Sequence, residues 1–523
     1  MNINQNNSIT LIKYKEVKII INNELSILII GITDQKEIFM RLNVNNSFCY
    51  ENLFAVGDND IKDVFDFLLN IIIKYKNIFD SIDEGKKLLF KLYGEDPTKT
   101  NNELLFILIL KNNSNKIIIK NEDIMKSLYN FNTKYKTFIS ETETINLSHQ
   151  NIDDEALKDF SHIKLKTLIL FLNNNRFKNI SPLNSNNFKY LQKLFLINNE
   201  IVDLKNINNL KLDFLLELKL NHNKIEDISP LENVQFKKIE KLDLSENRIS
   251  NIDSFQNIKF DNLINLNLSY NLINDISSLE NTEFTKLLKL DLSHNIINDL
   301  SVFEKVSYPS IEILNLSYNK IDKIYIKNIL CFPQLKNLLL NDNQIKEIII
   351  KGKVQLNKLK KINLSHNLLE VIRFEKGNKI NKLIELDLSY NLLNDILFFD
   401  DIELKSLNKL YLNHNVIEDI NILGEINLEN ISILNLSNNN ISEIDVLQKM
   451  PIKNMNHLDL SYNLIKSIKP FKNLYFPNIR YLIINHNLIE YNLKENIDII
   501  DNIISNNKNQ LYYFYYNNNI RYI

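Results

Sequence analysis

Hydrophobic and polar positions recur along this chain with a period of 24 residues. The repeated frame is L-x-x-L-x-L-x-x-N-x-I-x-x-I, as in the unit that runs from Ile239 through Asn247 to Ile252. A fixed period of this length predicts a solenoid, because one repeat cannot bury its apolar face alone and stacked repeats can. Fourteen asparagines keep the register without an insertion: Asn175, Asn199, Asn223, Asn247, Asn271, Asn295, Asn319, Asn343, Asn367, Asn391, Asn415, Asn439, Asn463 and Asn487.

Each repeat predicts a short strand followed by an inward turn. In L-x-L the two leucines face one side of the strand, and the residue between them faces the other. Parallel strands of successive turns then pair about 4.7–4.9 Å apart. The asparagine ends the strand, and its amide can satisfy buried backbone groups of its own and the adjacent turn. We therefore expect Asn319, in the middle of the ladder, to be buried. An earlier unit has Gln150 in this place, as expected for a terminal repeat.

The motif resembles that of the leucine-rich repeat family over roughly residues 143–495. This resemblance implies a curved leucine-rich repeat solenoid with a parallel β-sheet on the concave face, used to bind other proteins. The sequence Ile-Ser-Pro-Leu at 180–183 and 228–231 is also similar to the branch that includes the leucine-rich regulatory subunit of type 1 protein phosphatase. That branch usually has a shorter period than the 24 residues found here.

The first 138 residues lack this register, and we interpret residues 1–138 as a small α+β head domain of unknown role. Residues 139–495 form the predicted solenoid of about 15 repeats, and residues 496–523 its C-terminal cap, with a helix over Leu493–Ile504. Alternation and helical spacing predict the elements of the head. They are strands over 8–22, 25–32, 38–44, Leu88–Leu92 and Leu104–Leu110, and helices over Asp60–Ile82 and Glu122–Phe138.

Three consecutive repeats differ on the side opposite the sheet. Most repeats place an apolar residue three positions after the last frame isoleucine, such as Leu279. The three exceptions move it one position earlier, to Ile326, Ile350 and Phe374. The resulting alternation predicts short extended segments there.

Composition narrows the function. The formal net charge is −2, from 62 basic and 64 acidic residues, so no electrostatic field favours nucleic acid or an anionic membrane. No run of about 18 apolar residues predicts a membrane-spanning helix. Only two cysteines occur, Cys49 and Cys331, and the N-terminal segment lacks the basic-then-apolar layout of a signal peptide. These observations predict a cytoplasmic protein and disfavour a secreted receptor.

No motif predicts catalysis, a cofactor or a metal. The seven glycines are too scattered for a phosphate-binding loop. Six histidines occupy the position just before the ladder residue, but neighbours lie two or three turns apart. At the strand spacing this separation is about 10 Å or more, too far for shared metal ligation. We therefore predict that the chain is not an enzyme.

The position before the ladder gives the candidate partner-binding residues. Rings at strand ends are amphipathic and favoured in interfaces, although a tolerated solvent-facing stripe is the other interpretation. We call these residues the aromatic stripe: His222, Tyr270, His294, Tyr318, His366, Tyr390, His414, Tyr462 and His486. Asp291, Asn315 and Asp387, from the centres of the strands, are expected to orient the partner.

A second set directly follows the ladder asparagine. If it faces solvent it marks an interface; the alternative is packing between neighbouring loops. We call this set the apolar ribbon: Leu272, Ile296, Leu368, Leu392, Val416, Leu464 and Leu488.

The sequence thus predicts a non-enzymatic scaffold or adaptor that binds another protein on the concave face. A regulatory subunit of a Ser/Thr protein phosphatase is the alternative.

Overall fold

The computed structural model describes the strands of residues 11–118, residues 127, 130–132, 134 and 135, and most of 143–522. Within 143–522 the gaps are 164–166, 184–187, 189, 206, 211, 235–236, 307, 327–329, 352–353, 376–377, 508–510 and 517–518. The chain divides into two compact units, Met1–Leu215 and Leu216–Ile523. Each unit is described by itself below.

The first unit begins with an eight-stranded sheet in the order β3-β2-β1-β5-β6-β7-β4-β8, in which β3 also pairs with β4. Hairpin pairing joins β1 to β2, β2 to β3 and β3 to β4, all antiparallel. The strands are β1 (Leu11–Ile21), β2 (Glu24–Thr33), β3 (Glu37–Val44), β4 (Phe48–Ala55), β5 (Phe79–Glu84), β6 (Lys87–Leu92), β7 (Leu104–Leu110) and β8 (Ile117–Ile118).

One expectation for the head was wrong, and strands β4 and β8 were not predicted. The predicted helix Asp60–Ile82 cannot extend to its end, because Phe79–Glu84 is β5; the earlier part of that helix lies outside the described residues. Strand β5 pairs antiparallel with β6, and Phe79 pairs with Ile21 of β1, so tertiary pairing outweighs local helical spacing. Strand β4 was missed, since its sequence does not alternate, and its pairing with β3 fixes it. The described residues of the predicted Glu122–Phe138 helix are helical.

The repeats of the first unit contribute the parallel strands β9 (Thr144–Asn146), β10 (Ile169–Phe171) and β11 (Lys193–Phe195). Helix α1 (Asp154–Ser161) begins after Asp153, whose carboxylate accepts from the Ala156 N–H at 2.9 Å. Two short 3₁₀ helices, Ser181–Leu183 and Ile207–Asn209, lie opposite the strands. The ring of Phe160 is buried, and its centroid lies 5.7 Å from that of Phe131. The helical residues before the first repeat therefore cover the apolar end of that repeat.

The second unit is a parallel sheet with one short strand per 24-residue turn, and it confirms the predicted leucine-rich repeat solenoid. Paired residues differ by 24 in number at each strand pair from 217 to 483 outside the cap. The strands are β12 (Glu217–Lys219), β13 (Lys241–Asp243), β14 (Asn265–Asn267), β15 (Lys289–Asp291), β16 (Ile313–Asn315), β19 (Asn337–Leu339), β22 (Lys361–Asn363), β25 (Glu385–Asp387), β27 (Lys409–Tyr411), β28 (Ile433–Asn435), β29 (His457–Asp459) and β30 (Tyr481–Ile483).

The core of this unit lies between the sheet and the opposite side, which we call the back. Strand leucines such as Leu266 and Leu290 are fully buried. The apolar residue that precedes each strand adds an internal row of rings, with Tyr308 lying 5.4 Å from Phe284. The Tyr308 hydroxyl donates to the Leu279 carbonyl at 3.2 Å, and burial raises its pKa to about 12.

The back has two constructions. Most turns carry a 3₁₀ helix there: Ser229–Asn233, Asp253–Asn257, Ser277–Asn281, Ser301–Glu304, Leu397–Asp401, Asn421–Gly424, Asp445–Gln448 and Lys469–Asn473. A further 3₁₀ helix, Ile452–Asn454, precedes β29. The three exceptional repeats carry extended segments instead, which confirms the prediction. These are β17 (Lys323–Ile326), β20 (Glu347–Ile350) and β23 (Val371–Phe374), a parallel three-stranded sheet that we call the back sheet.

Two smaller strand pairs and the cap complete the unit. Strand β18 (Leu330–Cys331) pairs with β21 (Val354–Gln355), and β24 (Asn378–Lys379) with β26 (Ile402–Glu403). Helix α2 (Lys494–Asn507) lies at the predicted cap helix, shifted by one to three residues. Strand β31 (Tyr513–Tyr516) then pairs parallel with β30 and antiparallel with β32 (Asn519–Tyr522).

Candidate protein-binding surface

The ladder asparagines hold each turn to the previous one. The Asn319 amide donates to the carbonyls of Leu316 at 3.0 Å and of Leu292, one turn earlier, at 2.9 Å. Its oxygen accepts from the Ile297 N–H at 3.0 Å, and the residue is 7% exposed. The same bonds recur along the ladder, so every turn ends in the same backbone path. In the first unit the Gln150 amide donates to the Ser148 carbonyl at 3.4 Å.

This path forces the residue before each ladder asparagine into the left-handed backbone region. In the second unit its φ lies between 52° and 56° in every repeat. Asparagine and aspartate tolerate this conformation, whereas a bulky side chain there is a clear outlier. Asn438 and Asp342 fill two of these positions, but tyrosine fills four: Tyr270, Tyr318, Tyr390 and Tyr462.

The aromatic stripe forms stacked columns. The Tyr270 and His294 rings lie 3.8 Å apart at 10°, and His294 and Tyr318 lie 4.1 Å apart at 9°. A second column joins His366, Tyr390 and His414 at 4.2 and 4.0 Å. The rings of Tyr462 and His486 form a third, at 4.1 Å.

These columns leave much of each ring in solvent. Tyr270 is 52% exposed, Tyr318 47% and Tyr390 43%. His222 has no ring partner of this kind; its Nε2 instead lies 2.7 Å from the Glu246 carboxylate. Eight of the nine stripe residues therefore form three ring columns, separated by turns that carry Asp342 or Asn438.

Asp291, Asn315 and Asp387, which were predicted at the strand centres, are the last residues of their strands, and they have a structural role that the sequence did not reveal. Asn315 accepts from the hydroxyl of Ser317 at 2.8 Å, and Asp387 accepts from the hydroxyl of Ser389 at 2.6 Å. Each also accepts the N–H of the same serine, so these side chains brace the turn that leads into the left-handed residue. The recurring Asn/Asp-Leu-Ser triplet was the available signal.

Asp291, which was expected to orient the partner, is buried. It is 8% exposed and accepts from the Ser293 hydroxyl at 2.7 Å and from the Asn315 amide at 3.0 Å. Lys289 lies 3.4 Å from its other oxygen. Because its acceptor sites are largely used inside the sheet, Asp291 has fewer acceptor sites left for a partner than Asp387 has.

The apolar ribbon faces solvent. Its seven members are each between 36% and 52% exposed, so loop packing does not bury them. Every ribbon residue follows an aromatic-stripe residue by two positions. The five repeats with Asn, Asp or Glu in the stripe position all have a polar residue two positions later, as in Asn438 and Asn440. Stripe and ribbon thus change together except at His222 and Tyr318, which are followed by Lys224 and Lys320, and we call their combination the binding edge.

Two imidazoles in the columns have a lowered pKa. Partial burial lowers the pKa of His294, although the carboxylates of Asp291 and Asp342 oppose the shift. Partial burial also lowers the pKa of His414, and the nearby His366 acts in the same direction. The charge of Asp342 raises the pKa of the Tyr318 hydroxyl. These three shifts favour the neutral form of the His294, His414 and Tyr318 rings.

Among the residues that the structure describes, no group of three or more His, Cys, Asp or Glu side chains is arranged to hold a metal ion. Likewise, none of the described helices is long and apolar enough to cross a bilayer.

Comparison with known proteins gives structural matches only. No protein-family model and no curated protein matches the chain. A solved leucine-rich repeat protein of Leptospira interrogans is 21% identical over 74% of this chain and 98% of its own, with a TM-score of 0.49. An internalin, InlF, of Listeria monocytogenes is 26% identical over 58% of this chain and 81% of its own, with a TM-score of 0.43. The APL1 leucine-rich repeat domain is 21% identical over 64% and 85%, with a TM-score of 0.45.

The fold class follows from the chain's own construction. The repeat motif places one strand in a parallel sheet per turn. A buried asparagine bonds backbone groups of two successive turns at the end of each strand. This combination is the construction of a leucine-rich repeat solenoid.

Proposed function

We propose that this chain is a non-enzymatic protein-binding scaffold whose partner docks on the binding edge and the neighbouring concave strand face. The proposal rests on four tyrosines whose backbone lies in the left-handed region: Tyr270, Tyr318, Tyr390 and Tyr462. Each strained residue of this kind costs about 1–3 kcal/mol, and such strain is concentrated at functional sites. Asn438 shows that the same turn forms with a residue that tolerates the conformation.

Ring stacking alone does not account for the whole edge. Stacking offsets part of the strain, since an aromatic pair contributes about 0.5–1.5 kcal/mol beyond its buried area. It gives no reason, however, for exposed aliphatic residues such as Leu368 and Leu392 beside the rings. Exposed apolar residues that accompany amphipathic rings are what a protein interface uses.

The polar residues beside the edge support orientation of a partner. Asp387 is the last residue of its strand, on the same turn as Tyr390. On the strand face Glu385 lies between Lys361 at 2.7 Å and Lys409 at 3.3 Å. Desolvation raises the pKa of the Glu385 carboxyl, but the two lysines outweigh it and keep the pKa below its usual value. A mixed-charge face next to an apolar edge favours one docking orientation.

The alternative role, as a phosphatase regulatory subunit, has less support. Its basis is the Ile-Ser-Pro-Leu sequence at 180–183 and 228–231. In both places the proline lies in a short 3₁₀ helix, Ser181–Leu183 or Ser229–Asn233. Proline suits a helix start, because its φ is fixed and its missing N–H is not needed there. The likeness therefore has a structural reason that requires no shared partner.

The test is capture of the partner from a lysate of the cells that encode the chain. The double variant Tyr318→Asn/Tyr390→Asn should reduce recovery at least about ten-fold, since interface hot spots exceed the 1.4 kcal/mol of a ten-fold change. Its melting temperature should stay near that of the wild type, because asparagine suits the left-handed region. The matched control is Tyr475→Asn, which changes another exposed tyrosine outside the stripe.

Equal recovery by the double variant and the control would contradict the proposal for the stripe. Loss of capture only in Leu368→Ser/Leu392→Ser would then assign binding to the ribbon alone. Recovery of a Ser/Thr phosphatase catalytic subunit as the partner would favour the alternative role.

We also propose that the chain works in a reducing compartment such as the cytoplasm. Its two cysteines, Cys49 and Cys331, lie in different units, and 523 residues contain no others. Acid-quenched thiol labelling of the native protein should find both thiols free. A blocked pair would contradict this location.

A further inference from the structure

The back sheet has two ends, and they differ. Its strand order is β17-β20-β23, so β17 and β23 are the edge strands. Beyond β23 lies the 3₁₀ helix Leu397–Asp401, and beyond β17 lies the 3₁₀ helix Ser301–Glu304. At both ends an extended strand meets a helical turn, and a helical turn cannot continue the inter-strand hydrogen bonds of the back sheet.

At the β23 end the junction is filled. Phe374 of β23 lies 6.4 Å from the ring of Phe398, which is itself packed on Phe399 at 4.3 Å. Both of these phenylalanines are buried. The two rings occupy the space that the change of construction opens.

At the β17 end the junction is open. The turn equivalent to Phe398–Phe399 contains Val302 and Phe303, so one ring is missing. A cavity of about 790 Å³ lies here, a volume typical of ligand pockets. Its walls include Leu300 and Phe303 on the helix side and Ile324 on the strand side.

The floor of this cavity is the solenoid core. Leu314, Leu338 and Leu340 of the sheet strands and Leu335 line it. Leu338 is only half-buried, whereas the matching Leu266 and Leu290 are fully buried. An apolar side chain that entered from outside would therefore reach a position normally filled by the protein itself.

The rim provides backbone groups. The Asp322 carbonyl accepts from Lys346 N–H at 2.8 Å, on the side of β20. Because successive residues of a strand direct their backbone groups to opposite sides, the N–H and carbonyl of Lys323 face the cavity. A parallel or antiparallel segment can bond such an edge.

From these features we infer that the cleft between β17 and the Ser301–Glu304 helix binds an extended peptide segment of a partner by strand addition. Its backbone pairs with β17, and one large apolar side chain enters the cavity. Four residues of β17 span about 13 Å, which suits about four residues of peptide. The charged lining residues are Asp299, Glu304, Asp322, Lys320 and Lys323, three acidic against two basic, which favours a basic residue beside the apolar one.

The test is selection of peptides from a random nine-residue displayed library on the full chain. Selected peptides should share a large apolar residue with a neighbouring lysine or arginine. Lys323→Pro removes the edge N–H and should weaken their binding at least ten-fold, while Lys323→Ala keeps that N–H and should change binding less than three-fold. Leu338→Phe narrows the cavity and should also weaken binding at least ten-fold. Melting temperatures establish that each variant folds.

Selection of no peptide above background, or of peptides that bind Lys323→Pro and Leu338→Phe as well as the wild type, would overturn the inference. If one variant fails to fold, the other decides. The proposal does not depend on the binding edge, so Tyr318→Asn/Tyr390→Asn should leave peptide affinity unchanged. Loss of peptide binding in that variant would show that the peptides occupy the binding edge, and it would likewise overturn the inference that they bind in the cleft.

Discussion

The ladder and the aromatic stripe are adjacent in sequence, yet they follow opposite rules. Asn319 is 7% exposed and bonds the backbone of two turns, and the same residue type fills its position in every regular repeat. Tyr318, one residue earlier, is 47% exposed, and its position contains Tyr, His, Asn, Asp or Glu in different repeats. The difference shows which constraint acts on each position. Backbone hydrogen bonding requires asparagine at the ladder position, whereas only the left-handed backbone limits the residue type at the stripe position.

This comparison separates folding from function within a single repeat. A residue that the fold requires recurs without exception, because each replacement leaves buried backbone groups unpaired. A residue type that the fold permits but does not require can vary between repeats, and its variation then reflects another constraint. The joint change of stripe and ribbon is such variation, since Tyr390 with Leu392 and Asn438 with Asn440 rest on the same backbone.

The largest expected effect is at the ladder. Asn319→Ala leaves the buried N–H of Ile297 without its acceptor. It also removes one of the two amide donors from the carbonyls of Leu292 and Leu316, which keep those of Asn295 and Asn343. Since one unsatisfied buried group costs about 1–3 kcal/mol, we expect a loss of that size. Urea titration of the free energy of unfolding measures it, with the exposed neighbour Lys320→Ala as the control. An Asn319→Ala protein as stable as Lys320→Ala would break the comparison.

A smaller effect is expected when residues of the stripe are exchanged. Tyr390→Asn removes two stacks, with His366 at 4.2 Å and His414 at 4.0 Å, but it also relieves left-handed strain. The two contributions are of similar size and opposite sign, so the free energy of unfolding should change by less than about 1 kcal/mol. Asn438→Tyr, the reverse exchange in a polar repeat, should also stay within about 1 kcal/mol. A loss as large as that of Asn319→Ala would place the stripe among the positions that the fold requires.

Periodicity made the solenoid predictable, because the 24-residue register repeats the same physical demand in every turn. The extended back segments at Ile326, Ile350 and Phe374 were also predictable, since a one-residue shift changes the local pattern to alternation. The end of the predicted head helix at Ile82 failed because pairing of Phe79–Glu84 with β1 and β6 is non-local. Helical spacing in a sequence contains no information about such partners.

The position of the stripe residues on successive turns was predictable, but the geometry of their rings was not. The sequence places Tyr270, His294 and Tyr318 on successive turns, yet nothing in it fixes the left-handed φ of 54° to 56° that aligns their rings. The burial of Asp291 was also hidden, because the serine two residues later and Asn315 take its acceptor sites only in the folded sheet. The cleft beside β17 depends on a missing ring at Val302, which becomes visible only beside the filled junction at Phe398.

The smallest expected effect is a pH dependence of the columns. The pKa of His294 and that of His414 are lowered in the folded chain, mainly by partial burial between rings. Above the unfolded pKa of about 6.5 both states are neutral, and the stacked imidazoles contribute their full stability. As the pH falls through that value, the unfolded chain takes up protons first, so stability is lost until the pH passes below the lowered folded pKa.

His294→Phe/His414→Phe keeps the rings but removes both titrations. Its free energy of unfolding should therefore fall less between pH 7.5 and pH 5.5 than that of the wild type, measured by urea titration at both pH values. Contributions from Asp291, Asp342 and the remaining acids are common to both proteins and largely cancel in the difference. A wild-type protein with the same fall as the double variant would show that the columns do not hold their imidazoles neutral, and the comparison between ladder and stripe would then rest on backbone geometry alone.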